Sequence, residues 1–306
     1  MRYGFIGLGN LGTHLAASLV RADFEVTVSD LDGSRAQPLV DAGAKWAATP
    51  RAVAQTSDAV ITCLPSPAAA TAVVAGPDGV FEGLAPGGTW IEMSTTDIVE
   101  LKRLAELAAT RGIATLEAPV TGGVHRAASG RITVLVGGER SVFETHRPAL
   151  EAMGGRILYM GPLGDAALIK VITNMLAFIH LLATGEALML ARRGGLDLAQ
   201  AYEAIKASSG NSFVHETEGQ LVLNGSYDIG FTMDLAAKDL GFAMAYGREL
   251  GVPLELAGLT EETFLRARAA YGGGAPSTQV VKLLEDALDT DLRAPGFPAR
   301  LGPDDL

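Results

Sequence analysis

Short apolar runs bounded by polar turns fill the first half of this chain, and a longer, helical period replaces them in the second. Arg2–Ile6, Glu25–Ser29, Asp58–Leu64, Thr89–Met93, Ala114–Ala118, Ile132–Val136 and Ile157–Met160 predict strands. Thr13–Val20 and Ile98–Arg111 lie between them and predict helices. Strand alternating with helix implies an α/β unit with a doubly wound, mostly parallel sheet covered on both faces. Ligands then bind beyond the carboxyl ends of its strands. From Gly164 onward no convincing strand recurs. Leu168–Arg193 predicts one long helix, followed by helices over Leu198–Ala207, Asp234–Leu250, Leu256–Ala270 and Ser277–Leu288. Gly194–Gly195, Gly210, Gly251–Pro253 and Gly272–Pro276 punctuate them.

The expected organisation is an α/β domain over 1–163, an all-helical domain over 164–292, and a Pro/Gly-rich tail over 293–306 that is expected to be poorly ordered. Val171–Ala191 is the most membrane-like stretch. Asn174, His180 and Glu186 interrupt it, so a buried core helix is expected and no membrane span.

The first strand runs into GFIGLGNLG, residues 4 to 12, which changes the picture from fold to ligand. Gly7, Gly9 and Gly12 stand at G-x-G-x-x-G spacing between a strand and a helix. Gly7 permits the tight turn, Gly9 lets backbone approach a pyrophosphate, and Gly12 lets helix pack on strand. The helix N-terminus attracts phosphate. The loop residues Leu8, Asn10 and Leu11 belong to the same candidate cofactor contact. Asp30 closes the second strand at roughly the 20-residue offset of a ribose-binding acid. Its carboxylate would accept from the adenosine ribose hydroxyls and repel a 2′-phosphate. Leu31 follows it, where an arginine would grip that phosphate, so NAD is expected rather than NADP, although Arg35 lies close enough to complicate the choice.

Composition narrows the partners. The formal net charge is −11, with no basic stripe, which argues against nucleic acid and fits a soluble cytoplasmic protein. Cys63 is the only cysteine and the five histidines lack ligand spacing, so neither disulfide nor metal site is expected. The apolar start after Arg2 carries glycines and early acids that do not suit a signal peptide.

Binding a dinucleotide does not say what chemistry follows. Pro119–Gly123, PVTGG, ends a predicted strand. Its glycines leave backbone N–H groups open and Thr121 adds a hydroxyl, a donor set that suits a carboxylate. By itself the segment equally describes an ordinary tight turn. Lys170 lies early in the long apolar helix, with Asn174 four residues on and therefore on the same face. Burial and a nearby nicotinamide cation would favour its neutral amine, as a general base requires. A lysine that snorkels to water is the plain alternative. Lys238 and Asp239, in FTMDLAAKDL, read as a charged helical face, or else Lys238 is directed to the substrate or cofactor.

Taken in order, these segments resemble the β-hydroxyacid dehydrogenases, which include 3-hydroxyisobutyrate dehydrogenase and tartronate semialdehyde reductase. GFIGLGNLG, CLPS at 63–66, MSTT at 93–96, EAPVTGG at 117–123, GDAALIKVITN at 164–174 and FTMDLAAKDL at 231–240 carry the resemblance over nearly the whole chain. It implies a Rossmann-like domain followed by a helical domain whose long helix builds a homodimer or homotetramer. It implies Lys170 as catalytic acid/base on a small hydroxy-acid substrate. Thr121, Gly122, Gly123 and Asn174 would hold that substrate. Leu64, Pro65 and Thr95 would line the cofactor, with Lys238 near both ligands. An imine reductase shares the architecture but generally carries another residue at Lys170, and a catalytically silent dinucleotide-binding protein would not need Lys170 and Asn174. His125 and Arg126 depart from the small residue common after the glycines. One of them is expected either to contact a polar or second anionic substrate group or to face solvent in a loop.

Overall fold

The structure, a computed structural model, describes residues 1–302. The chain divides into two compact units, Met1–Lys170 and the residues from Val171 onward. Strands β1 (Arg2–Ile6), β2 (Glu25–Ser29), β3 (Lys45–Trp46), β4 (Ala59–Thr62), β5 (Thr89–Glu92), β6 (Ala114–Glu117), β7 (Val120–Thr121), β8 (Ile132–Gly138) and β9 (Gly154–Gly161) form one sheet. The order is β3-β2-β1-β4-β5-β6-β8-β7, with β9 on β8. The first six strands are parallel throughout, while β8 runs antiparallel to β6 and β7. Strand order reverses direction at β1 and β4, so a crevice opens at their carboxyl ends, where ligands of such sheets bind.

Both faces of the sheet are covered, as its period-2 pattern requires. Phe5, Val28, Ile61 and Ile91 face one core with Leu15, Leu19, Phe143 and Leu150 from the helices Gly12–Arg21 and Arg140–Met153. Ile6, Val60 and Trp90, each one residue out of phase, face a second core with Leu101 and Leu104 from the helix Ile98–Ala109. The pattern read from sequence missed β3 and β7, because two residues cannot display a period.

One buried pair on the first face makes the unit sensitive to acid. The Tyr3 hydroxyl and His146 Nδ1 lie 3.0 Å apart, and His146 is 2% exposed. Burial lowers the imidazole from 6.5 to about 4. A depressed pKa means that the unfolded chain binds the proton first. The contribution is complete above pH 6.5 and is lost as pH falls toward 4. On the order of 2 kcal/mol should disappear between pH 7 and 5. Denaturant midpoints at both pH values check this: the difference should shrink in His146→Phe, and an unchanged difference would assign the acid sensitivity elsewhere.

The second unit is helical. The helix Asp165–Arg193 crosses from the first unit and is long and apolar enough, by length and composition, to span a bilayer. Phe178, Leu181, Leu188 and Met189 enter a core with Tyr202, Leu240, Phe264 and Val281, while Ile172, Leu176 and Leu190 are exposed. The remaining helices include Leu198–Lys206, Phe213–Glu216, Glu218–Asn224, Met233–Leu250 and Glu255–Tyr271. The predicted helix over 277–288 is a 3₁₀ turn, Ser277–Val281, and then a helix, Lys282–Leu288. Thr278 donates its hydroxyl to the Tyr227 carbonyl at that turn.

The tail corrects an expectation. Its described part is held down, because Arg293 donates to the Val222 carbonyl at 2.6 Å and pairs with buried Glu285 at 3.2 Å. Asn224 reaches the Phe297 carbonyl at 2.8 Å, and the Phe297 ring stands edge-on to Tyr202. Proline and glycine there shape a strap that an arginine and an aromatic ring anchor. Residues 303–306 lie outside the described residues.

Candidate active site

The glycine loop folds as its spacing requires. Gly7 has φ +99°, and a Cβ there would lie 2.3 Å from the Cys63 carbonyl oxygen. A Cβ on Gly12 would lie 1.9 Å from the Gly7 carbonyl oxygen, so turn and helix touch backbone to backbone. Gly9 differs: a Cβ would meet nothing nearer than Arg35 Nη1 at 3.9 Å. Its outer side is open, and Leu8, Gly9, Asn10, Thr13, His14 and Arg35 line a pocket of about 310 Å³ there. An open cradle at the start of a ten-residue helix fits a pyrophosphate. Leu11 stands at the cap of that helix.

Asp30 ends β2 against this loop. Its carboxylate accepts from the Leu8 amide at 2.6 Å and from the Asp32 amide at 2.9 Å. The acid therefore braces the loop as well as presenting charge to it, a role the spacing did not reveal. Arg35 pairs with Asp32 at 3.5 Å, which keeps its guanidinium beside the glycine loop.

Across the crevice a buried carboxylate sets two further loops. Glu92, 1% exposed at the end of β5, accepts from the Thr62 hydroxyl at 2.9 Å and the Ser94 amide at 2.7 Å. The Trp90 indole donates to the Thr62 hydroxyl, and the Leu64 amide donates to Ser94 Oγ at 2.7 Å. Leu64 thus stands against the Gly7 turn, with Pro65 next to it and half-buried Thr95 after Ser94. Burial, with Glu92 nearby, pushes the Cys63 thiol up to about 12, so it stays protonated at neutral pH and is no nucleophile.

Thr121 ends β7, paired with Thr133 of β8. Gly122 and Gly123 follow with φ +122° and +90°, conformations that favour glycine. The two departures beside them fold back onto the turn. A Cβ on Gly122 would lie 3.0 Å from Arg126 Cδ, and one on Gly123 would lie 3.0 Å from the His125 ring. His125 is buried and Arg126 half-buried, so neither is a freely waving loop residue.

Lys170 is 8% exposed, with Ala166, Ala167 and Val171 buried around it in sequence. Its helix starts on a second buried acid. Glu117 at the end of β6, 1% exposed, accepts from the amides of Gly164, Ala166 and Ala167 at 2.6, 3.0 and 3.0 Å. Burial raises its carboxyl above the usual range, the three amides oppose that shift, and Asp165 adds to it.

In the second unit, one carboxylate joins two candidates. Asp239, fully buried, accepts from the Asn174 side-chain amide at 2.6 Å and from Lys238 Nζ at 2.7 Å. Lys238 also lies over the Phe242 ring, 4.9 Å from its centre. Lys238 and Asn174 are therefore held by one acid, and Lys238–Asp239 is no solvated charged face. Sequence reading missed Glu92 and Glu117 and gave Asp239 no role beyond a charged helical face. For Glu92 and Glu117 the available signal was an acid inside an apolar strand, TWIEM or TLEAP, since buried charges persist only with partners. Among the described residues no cluster of His, Cys, Asp and Glu could hold a metal ion.

Comparison with known proteins gives these groups a context. A family model described as the NAD binding domain of 6-phosphogluconate dehydrogenase matches residues 2–161. One described as NAD-binding of NADP-dependent 3-hydroxyisobutyrate dehydrogenase matches residues 164–284. The 2-(hydroxymethyl)glutarate dehydrogenase of Eubacterium barkeri is 32% identical over 93% of this chain and 95% of its own. L-threonate dehydrogenase of Cupriavidus necator is 32% identical over 92% and 95%. The crystal structure of a 3-hydroxyisobutyrate dehydrogenase from Salmonella typhimurium is similar with a TM-score of 0.86 at 30% identity, covering 92% of this chain and 99% of that one. With its Rossmann-like sheet, glycine loop and helical second unit, the chain belongs to the β-hydroxyacid dehydrogenase family, whose 3-hydroxyisobutyrate dehydrogenase-like members are NAD(P)-dependent oxidoreductases.

Proposed function

We propose that the protein interconverts a small β-hydroxy carboxylate and its semialdehyde, with NAD as cofactor and Lys170 as acid/base. The observation that carries this reading is a buried lysine one turn from Asn174, on a helix seated on the strand that leads to the TGG turn. In the oxidative direction Thr121, Gly122 and Gly123 donate to the substrate carboxylate. Lys170 Nζ takes the hydroxyl proton as the C–O single bond becomes a carbonyl, and in reverse the ammonium returns it to the aldehyde oxygen. The cofactor, when bound, supplies the hydride acceptor. Asn174 orients the reacting oxygen, and Asp239 fixes Asn174 and Lys238 by accepting from both. The amine is buried, 8% exposed, and so is shielded from bulk water. The glycine loop, Asp30, Leu64, Pro65 and Thr95 hold the cofactor. Exposed Ile172, Leu176 and Leu190 along the long helix support assembly as a homodimer or homotetramer.

A panel of 3-hydroxy acids assayed separately with NAD and NADP tests the reading. NADH formation with a short 3-hydroxy carboxylate is the expected result, and binding of NAD without turnover of any alcohol would exclude it. Arg126, folded over Gly122, is assigned to a second polar or anionic group of the substrate. Arg126→Ala should lower kcat/KM for dianionic hydroxy acids about tenfold or more relative to monoanionic ones, the cost of one charge-assisted hydrogen bond. Unchanged selectivity would return Arg126 to a structural role.

A further inference from the structure

Glu117 occupies a singular place in the first unit. Along the chain it stands four residues before Thr121, at the end of the strand that feeds the TGG turn. Through space its two oxygens take the amides of Gly164, Ala166 and Ala167, which open the helix carrying Lys170. Those amides have no carbonyl a turn earlier to accept them, so a helix start buried without a partner would be unstable. The usual solution is a short side chain from the residue just before the helix. Here the acceptor comes from a strand about fifty positions earlier, and it binds sheet and helix as one piece. The surroundings are cut to fit it. Gly137 faces Glu117 across the β6–β8 pair, and a Cβ there would lie 2.2 Å from Glu117 Oε1.

We propose that Glu117 is the positioning residue of the reaction, fixing the amine of Lys170 relative to the carboxylate-binding turn at Thr121–Gly123. The inference rests on the reading of Lys170 as acid/base. The turn grips one end of the substrate and the amine serves the other, so their separation must match a short hydroxy acid. Glu117, rigidly hydrogen-bonded, ties the strand before the turn to the start of the helix that carries the amine. Releasing it leaves the cofactor loop and the turn themselves intact, so the loss should fall on kcat and spare binding.

Glu117→Gln keeps the shape but sets a side-chain N–H₂ against one of the three backbone donors. The expected result is a kcat lower by about 10- to 100-fold per cofactor-binding site, the scale of a small misplacement of a reacting group. Cofactor affinity and substrate KM should stay within a few-fold of wild type. Gly137→Ala provides a second variant should Glu117→Gln not accumulate folded, since the added methyl displaces the carboxylate without removing it, and it should reproduce the same split. Placed in a Glu117→Ala background, Gly137→Ala should add little further loss. A kcat per binding site within twofold of wild type in both variants would overturn the proposal, as would a fall matched by equal loss of cofactor-binding sites. Lys170→Ala run in parallel separates the two ideas: near-normal turnover there removes the acid/base reading itself, whereas lost turnover there with normal Glu117 variants removes only the positioning role.

Discussion

Lys170→Ala is expected to lower kcat by roughly 10²–10⁴-fold, the range of a general acid/base, while cofactor affinity stays near that of the wild type. The two halves of this expectation come from different parts of the molecule. The dinucleotide loop is built by Gly7, Gly9, Gly12 and Asp30, none of which is held by Lys170. On the proposed mechanism the proton transfer depends on one amine, 8% exposed, which neither of the other two candidates can replace. Asn174 offers an amide that carries no titratable proton, and Lys238 is committed to the Asp239 carboxylate. Lys170→Arg should fail nearly as badly. A guanidinium keeps its proton at any working pH and so cannot accept one. The measurement is single-turnover reduction of the cofactor with the best hydroxy acid, beside equilibrium binding of the cofactor alone. Turnover of Lys170→Ala within tenfold of wild type would remove the assignment, and an equal fall in binding and turnover would mean that the lysine holds the cofactor or the fold.

How much of this was legible beforehand depended on whether the information was local. The strands β1, β2, β4, β5 and β6 announce themselves through runs of apolar and β-branched residues, and Gly7–Gly12 through spacing alone. β3 and β7 do not, because a two-residue strand is defined by its neighbours: β3 by pairing with β2, and β7 by antiparallel pairing with β8. The tail misled for the opposite reason. Its Pro and Gly content suggests weak order, yet one guanidinium that reaches Val222 and Glu285 decides the outcome, and that contact spans many residues of chain. The site divides in the same way. Lys170 with Asn174, and Thr121 with its glycines, are visible as short motifs. The acids that brace them, Glu117 under the helix of Lys170 and Asp239 on Asn174, act over 47 and 65 positions of sequence, beyond the reach of any short motif. A buried carboxylate costs several kcal/mol to desolvate and remains only where fixed donors repay it, so each such acid in an apolar segment marks a junction between elements.

If Asp30 binds the ribose as proposed, Asp30→Ala should weaken NAD binding by about 10- to 100-fold and erase most of the proposed preference for NAD over NADP, since each charge-assisted bond to a ribose hydroxyl is worth about 1.5–3 kcal/mol. The loss of NAD affinity alone does not prove the point, because Asp30 also holds the Leu8 amide at 2.6 Å. A slackened loop would weaken both cofactors equally. The ratio of the two dissociation constants is therefore the decisive quantity. A carboxylate that accepts from the ribose of NAD and repels the phosphate of NADP makes the ratio collapse when it is removed. Arg35 sharpens the comparison, since it stands beside Gly9 and its exposed pairing with Asp32 at 3.5 Å leaves it close to the glycine loop. With Asp30 gone, its guanidinium becomes the dominant charge at that end of the pocket and should favour the extra phosphate. Adding Arg35→Ala to Asp30→Ala should then reverse the gain for NADP while leaving NAD unaffected. Equilibrium titration of the wild type and these two variants with each cofactor measures all six constants. A ratio in Asp30→Ala that stays within twofold of wild type would show that the acid only braces the loop, and that discrimination at the ribose lies elsewhere.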